Sequence, residues 1–317
     1  GVQLMYNKLG TIHRGGLKQT ISRDIRQNGS LYLLMLPVIL FYIVFAYGPM
    51  YGAIIAFKDF TPGKGILGSD WVGLAHFKDF LTSHYFLRLL RNTLTISVST
   101  LIITFPSAII FALLINEIRS KLFAKTVQTV TYMPHFISLV VLCGLITEFT
   151  ASDGIINDLI AFLGFERKTF LNDPNCFVPV YIISDIWQNM GWNSIIYLAA
   201  LAGIDQGLYE AASLDGAGRL RQVISITIPC IMPTIIIMFI LAVGGIVNVG
   251  YEKIILLYNP LTYEKADVIS SFVYRKGLED MQFSYSTAVG LFNSLVTFIL
   301  VMITNALSRK YQGIGLW

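Results

Sequence analysis

Charge is scarce in this chain, and that scarcity sets its class before any motif is read. Only 13% of its 317 residues are Asp, Glu, Lys or Arg, 55% are hydrophobic, and the mean hydropathy is +0.65. Such a balance is too apolar for a water-soluble domain and ordinary for one that lives in a bilayer. Lys and Arg never stand more than two in succession and the net charge is only +4, which offers nucleic acid no basic surface. The three cysteines, Cys143, Cys176 and Cys230, share no metal-ligand spacing, and two fall in or beside apolar runs, so they read as unpaired thiols. The phosphate-cradling GxxxxGK(S/T) loop, the HExxH pair and the GxSxG elbow are all missing, and His13, His76, His84 and His135 are scattered. The chain therefore carries no ATP-hydrolysing motor of its own, no metal site of that type and no such nucleophile, and a catalytic role is not expected. No repeat, low-complexity tract or long polar insertion interrupts it, which leaves one helical membrane domain.

What is present is a series of long apolar runs. About 20 apolar residues cross a bilayer as a helix, and six runs qualify: Leu31 to Phe57, Asn92 to Asn116, Thr126 to Thr147, Phe177 to Ile204, Ile231 to Tyr251 and Met281 to Ser308. The first is too long for a signal-peptide core and lacks a small-residue cleavage site after it, so it is expected to persist as a span. The fold expected is all-α and polytopic, with six transmembrane helices in a domain over 30–308, a tail over 1–29 and a second tail over 309–317. An even number of spans puts both termini on one side. With that side cytoplasmic, the inner segments hold five Lys/Arg in the first tail, then Arg119, Lys121 and Lys125, Arg219 and Arg221, and Arg309 and Lys310, while the outer segments hold nearly as many. The inner segments are the shorter and so the more densely basic, and the expectation is N-in, C-in.

Polar side chains inside a span are costly and usually face a water-filled cavity or a partner. On the fourth run Asp185, Gln188, Asn189, Trp192 and Asn193 recur at i, i+3, i+4, i+7 and i+8, one face of a helix. A carboxylate, three amides and an indole suit a sugar, whose hydroxyls need donors and acceptors and whose ring face packs on an aromatic. On the fifth run Asn248, Tyr251 and Glu252 repeat the i, i+3, i+4 spacing after Gly244 and Gly245, a second wall for the same cavity; Glu252 can equally stay wet among headgroups. Ser97, Ser99, Thr100, Thr104 and Ser107 read as helix-contact residues, and His135, beside Pro134, as a packed residue rather than a ligand.

Between the fourth and fifth runs lies a polar island over 205–229. Asp205 is placed to N-cap a short helix through Leu208, Glu210 and Ala211, the Gly216-Ala217-Gly218 cluster ends it, and a second helix restarts near Arg219. Small residues at Ala211, Ala212 and Ser213 let another surface approach. The stretch EAASLDGAG, Glu210 to Gly218, followed by Ile228-Pro229, resembles the EAA loop of the permeases of binding-protein-dependent ABC importers. The first run with the FKDFTPGKGILGSDWVGLAHFKDF segment after it, the GIINDLIAFLGF segment at Gly154 to Phe165 and the RKYQGIGLW ending resemble the polysaccharide-permease branch of the maltose-type sugar permeases. The likeness covers nearly the whole chain.

That resemblance implies the type I ABC importer permease fold and a division of labour. Glu210, Ala211, Ala212, Ser213, Asp215, Gly216 and Gly218 would form the coupling helix that enters a groove on the cytoplasmic ATPase, with Glu210 pairing with a basic group there. The partners implied are a homologous second permease, two ATPase subunits, which alone would bind ATP and magnesium, and an extracytoplasmic solute-binding protein that delivers an oligosaccharide. This chain itself would need no cofactor. Outer loops such as the amphipathic stretch Ala151 to Pro174 would touch the binding protein, or lie on the membrane surface. Two other classes stay open: an ABC permease for a different solute, and an ion-coupled secondary transporter, which would be expected to show inverted repeats or broken midplane helices.

Overall fold

The computed structural model describes residues 17–247 and 250–316, with side chains described from Gln27 onward. Lys8 and Arg14 of the first tail, and Asn248, lie outside the described residues. The described chain is helical nearly throughout and divides into two units, 1–54 and 55–317.

In the first unit α1 runs from Leu17 to Phe41, kinked at Asn28, whose backbone leaves the helical region, and containing Pro37. A π-helical turn at Tyr42–Tyr47 and a short helical turn at Gly48–Met50 carry it on. Pro37 and Pro49 lack an amide hydrogen, and the wider π turn is one way a helix absorbs such interruptions. Residues Gln27–Phe57 are long and apolar enough to cross a membrane.

The second unit takes in the FKDFTPGKGILGSDWVGLAHFKDF segment that follows the first run. It holds a two-residue antiparallel ladder, β1 (Lys58–Asp59) on β2 (Asp70–Trp71), and then α2 (Ala75–Thr82). The Lys58 ammonium donates to the Ile66 carbonyl at 2.8 Å, Phe57 stacks on Trp71, and the Phe60 amide donates to Ser284 Oγ at 2.9 Å. The remaining framework is α3 (Phe86–Asn116), α4 (Lys121–Tyr132), α5 (Leu139–Thr150), α6 (Ile155–Phe162), α7 (Pro174–Ala202), α8 (Gln206–Leu214), α9 (Arg219–Gln222), α10 (Ile228–Gly245), α11 (Tyr251–Leu257), α12 (Ile269–Tyr274) and α13 (Phe283–Gln312).

α7 is the central strut, packed along α3, α4 and α10. It starts cleanly because the Asp173 carboxylate accepts the Asn175 backbone N–H at 2.8 Å, an N-cap followed by proline at the first helical position; that bond holds the Asp173 carboxyl below its ordinary pKa. Where α7 crosses α4, a Cβ on Gly191 would stand 2.4 Å from the Thr131 carbonyl oxygen, so only glycine permits the approach. One apolar core joins Ile96, Leu142, Phe177, Tyr181, Ile254 and Val268, and a second joins Ala108, Ala112, Tyr197, Leu201 and Ile231. At one end of the unit the fully buried Asp267 carboxylate is gripped by Arg275 at 2.7 Å, Arg88 at 3.3 Å and Ser271 Oγ at 2.9 Å. A buried charge persists only when paired and hydrogen-bonded in this way.

Two of the expected spans need correction. The run Thr126 to Thr147 is not one helix. α4 ends in a 3₁₀ turn at Met133–Phe136, Ile137 is extended, and the Ser138 hydroxyl N-caps α5 by accepting the Val141 amide. Proline in the turn and a new cap two residues past its end finish one helix and start another. The membrane-crossing candidate here is Leu139–Phe162, which takes in α6 and so part of the stretch expected outside the membrane. The run Ile231 to Tyr251 stops at Gly245 and restarts at Tyr251. Candidate spans also occur at Phe86–Asn116, Arg219–Gly245 and Phe283–Gln312. α7 is less apolar, but at about 1.5 Å per residue its 29 residues exceed the roughly 30 Å of a hydrocarbon core. With it the candidate spans among the described residues number six. The last helix continues through Arg309 and Lys310 to Gln312.

Candidate functional site

A cavity of about 510 Å³ opens between the middle of α3, the polar face of α7 and the gap separating α10 from α11. Four residues of the expected stripe, Asp185, Gln188, Asn189 and Asn193, line it. Asn189 is the hinge of this wall: its Nδ2 donates to Asp185 Oδ1 at 2.9 Å and its Oδ1 accepts from His135 Nδ1 at 3.1 Å. The amides of Gln188 and Asn193 have no hydrogen-bond partner among the described residues, so their donors and acceptors remain for a guest.

Trp192 is not part of the lining. Its indole stacks on His135 with centroids 4.5 Å apart and planes 4° from parallel, and meets Phe136 edge-on. The cause is the break in the third run: the 3₁₀ turn after α4 sets His135 and Phe136 beside α7 at the level of residues 189–192, and the rings capture the indole. His135 is thus a packed, hydrogen-bonded residue. The aromatic surfaces that do border the cavity are Phe105 and Tyr181.

Tyr251 and Glu252 also stand elsewhere, around a separate hollow of about 280 Å³ with Leu139, Val140 and Tyr274. α10 ends at Gly245 and α11 starts at Tyr251 with its own phase, while Asn248, the third member of the expected set, lies outside the described residues. That phase turns Lys253 into the cavity instead. Lys253 is only 4% exposed; its ammonium donates to the Tyr181 carbonyl at 3.5 Å and lies 4.8 Å from the centre of the Tyr181 ring.

Across the cavity α3 presents Ser97, Thr100 and Thr104, at i, i+3 and i+7 on one face. Their hydroxyl oxygens are buried and have no hydrogen-bond partner among the described residues, so they line the cavity rather than seal a helix contact. Hydroxyls in a membrane helix commonly bond back to the preceding turn, as Ser107 does to the Thr104 carbonyl at 2.7 Å; three that do not are a wall prepared for a polar guest. Their heptad spacing was legible, but the face they occupy was not. Lys253 carried a signal too, a lone cation at the end of an apolar run.

A second surface lies on the polar island. The Asp205 carboxylate caps α8 by accepting the Gly207 amide at 2.9 Å. α8 closes in a Schellman motif, with the Ala217 amide on the Ala212 carbonyl, the Gly216 amide on the Ser213 carbonyl and Gly216 at φ +76°. That left-handed residue is the reason a glycine stands there. Gly218 is extended and precedes α9. Ser213 and Gln222 tie the two short helices together at 2.9 Å, Tyr209 bonds Thr227 at 2.9 Å, and Arg219 pairs with Glu117 at the end of α3 at 3.1 Å. Ala212 and Asp215 border a small hollow between the helices. Glu210 and Ala211 are exposed, and Glu210 makes no ion pair among the described residues. Leu214 and Leu220 are 91% and 74% exposed, two apolar side chains presented at the surface of the knob, the pattern of a surface that expects a partner.

Known proteins carry the same architecture. The profile of the family described as "Binding-protein-dependent transport system inner membrane component" matches residues 98–313. The chain is 46% identical over 292 residues, 92% of its length and 91% of the relative's, to the polygalacturonan/rhamnogalacturonan transport system permease protein YteP of Bacillus subtilis (strain 168). It is 42% identical over 294 residues to Protein LplB of the same organism, again covering 92% of each chain. A chain in the crystal structure of a bacterial alginate ABC transporter, in complex with an alginate pentasaccharide-bound periplasmic protein, superimposes with a TM-score of 0.86 and 42% identity over 93% of this chain and 99% of that one.

Proposed function

We propose, from the premise that this chain belongs to the family of binding-protein-dependent transport system inner membrane components, that it is the multi-pass permease subunit through which an oligosaccharide delivered by an extracytoplasmic binding protein enters the cell. The observation that carries the oligosaccharide is the cavity. It combines two aromatic rings with the amides of Gln188 and Asn193 and three hydroxyls that have no partner among the described residues, and a sugar supplies both the apolar ring face and the hydroxyls to match them. Relatives named for a polygalacturonan and for alginate support the same class.

In this reading a homologous second permease completes the channel, and two ATPase subunits bind ATP and magnesium. The N- and C-termini and the knob at 205–229 face the cytoplasm, where Glu210, Ala211, Ala212, Asp215, Gly216 and Gly218 meet the ATPase while Ser213 braces the knob from within. ATP binding closes the ATPase pair and draws the coupling helices together, the spans open outward to accept the sugar, and hydrolysis returns them.

Co-purification of the tagged chain from native membrane, followed by ATP-driven uptake in proteoliposomes made from the recovered complex, tests this. A second permease and an ATPase in the complex, and ATP-dependent accumulation of an oligosaccharide only when a binding protein is present, are expected. Recovery of the chain as a homo-oligomer whose uptake follows an ion gradient would overturn it.

A further inference from the structure

We infer that Lys253 is the recognition point for a carboxylate on the transported sugar, so that the guest is an oligosaccharide of uronic acids. The inference rests on the oligosaccharide reading above and narrows it.

An ammonium this deeply buried needs a counter-charge or a full set of acceptors. Lys253 has neither. Its hydrogen bond to the Tyr181 carbonyl is long, at 3.5 Å, the ring beside it supplies only a diffuse attraction, and no ion pair to it occurs among the described residues. Asp185 borders the same cavity, but its carboxylate is engaged by Asn189 and does not reach ion-pair contact. The cavity is therefore polarised: a cation with unused N–H donors at the α11 edge, and a carboxylate, free amides and three unpartnered hydroxyls elsewhere. A sugar that carries one negative charge and several hydroxyls fits both parts, its carboxylate on Lys253 and its hydroxyls toward Asp185, Gln188 and Thr104. A neutral sugar leaves the ammonium with no charge in contact with it and only the more distant Asp185 to offset it. A phosphorylated sugar brings about two charges to a single point cation, with no arginine fork lining the cavity.

The test is binding of trigalacturonate and of its trimethyl ester to the whole permease–ATPase complex in lipid nanodiscs, without the binding protein, followed by saturation-transfer NMR. The ester keeps the ring and hydroxyls and loses the charge. The wild-type complex should bind the acid about tenfold or more tightly than the ester. In Lys253→Gln that ratio should fall to about one, and Lys253→Arg should restore it. A wild-type ratio near one, or a Lys253→Gln complex in which both affinities drop with the ratio intact, overturns the assignment and leaves oligosaccharide import standing. Binding of neither probe overturns the assignment as well, and ATP-driven uptake then decides the broader reading by itself.

Discussion

The knob at 205–229 and the cavity beside α7 are built in opposite ways. The knob closes its bonds within itself: cap, Schellman turn and the Ser213–Gln222 brace span fewer than twenty residues, and it turns leucines out to water. The cavity is assembled from α3, α7, α10 and α11, far apart in the chain, and it hides polar groups from lipid. A part that must be gripped by another protein can be local and rigid. A part that must hold a polar guest in a membrane borrows its walls from distant helices and depends on how they cross.

The largest separation of the two should come from Gly191→Leu. A side chain there meets the Thr131 backbone, so α4 must leave α7 and carry His135 away from the cavity; overpacking of this kind costs about 1–3 kcal/mol or more. Assembled transporter recovered by size exclusion should fall sharply. Glu210→Lys should reduce ATP-driven uptake by about tenfold or more through charge reversal at the docking face, with membrane insertion and sugar binding intact; persisting uptake would remove Glu210 from its assigned role. Alanine at Gln188, Asn189 or Asn193 should raise the half-saturating sugar concentration by about three- to tenfold while the knob still docks its ATPase. Asn189 should give the largest shift, because it also frees Asp185 and His135. Unchanged affinity and rate in all three would detach the stripe from substrate. Gln222→Ala should have the smallest effect, loosening the knob by about 0.5–1.5 kcal/mol. It should be visible as faster hydrogen exchange at Gly216–Gly218 and not at the cavity.

The same contrast governs what could be read from the chain alone. Caps and turns depend on neighbours in sequence, so Asp205, Gly216 and the restart at Arg219 were legible. Counting apolar residues locates spans but is blind to where one stops. Pro134 with Ser138, and Gly244-Gly245 with Gly250, marked the two breaks, yet both lie in runs that otherwise look continuous. Once the fifth run breaks, helical spacing carries no phase across the gap, which is why Glu252 stands outside the cavity and Lys253 lines it. Trp192 was lost to the cavity through a tertiary contact, the ring of His135, that no local pattern announces.

α10 begins directly above the π turn at Val223–Thr227, where Tyr209 bonds Thr227, and ends at Gly245 on the rim of the cavity. Its 18 residues make a rod about 27 Å long. Rotation of such a rod by a few degrees about its knob end sweeps the far end through about 2 Å. Gearing of this kind would turn a small reseating of α8 on another protein into a change of aperture beside Lys253, with no need for any bend within the rod.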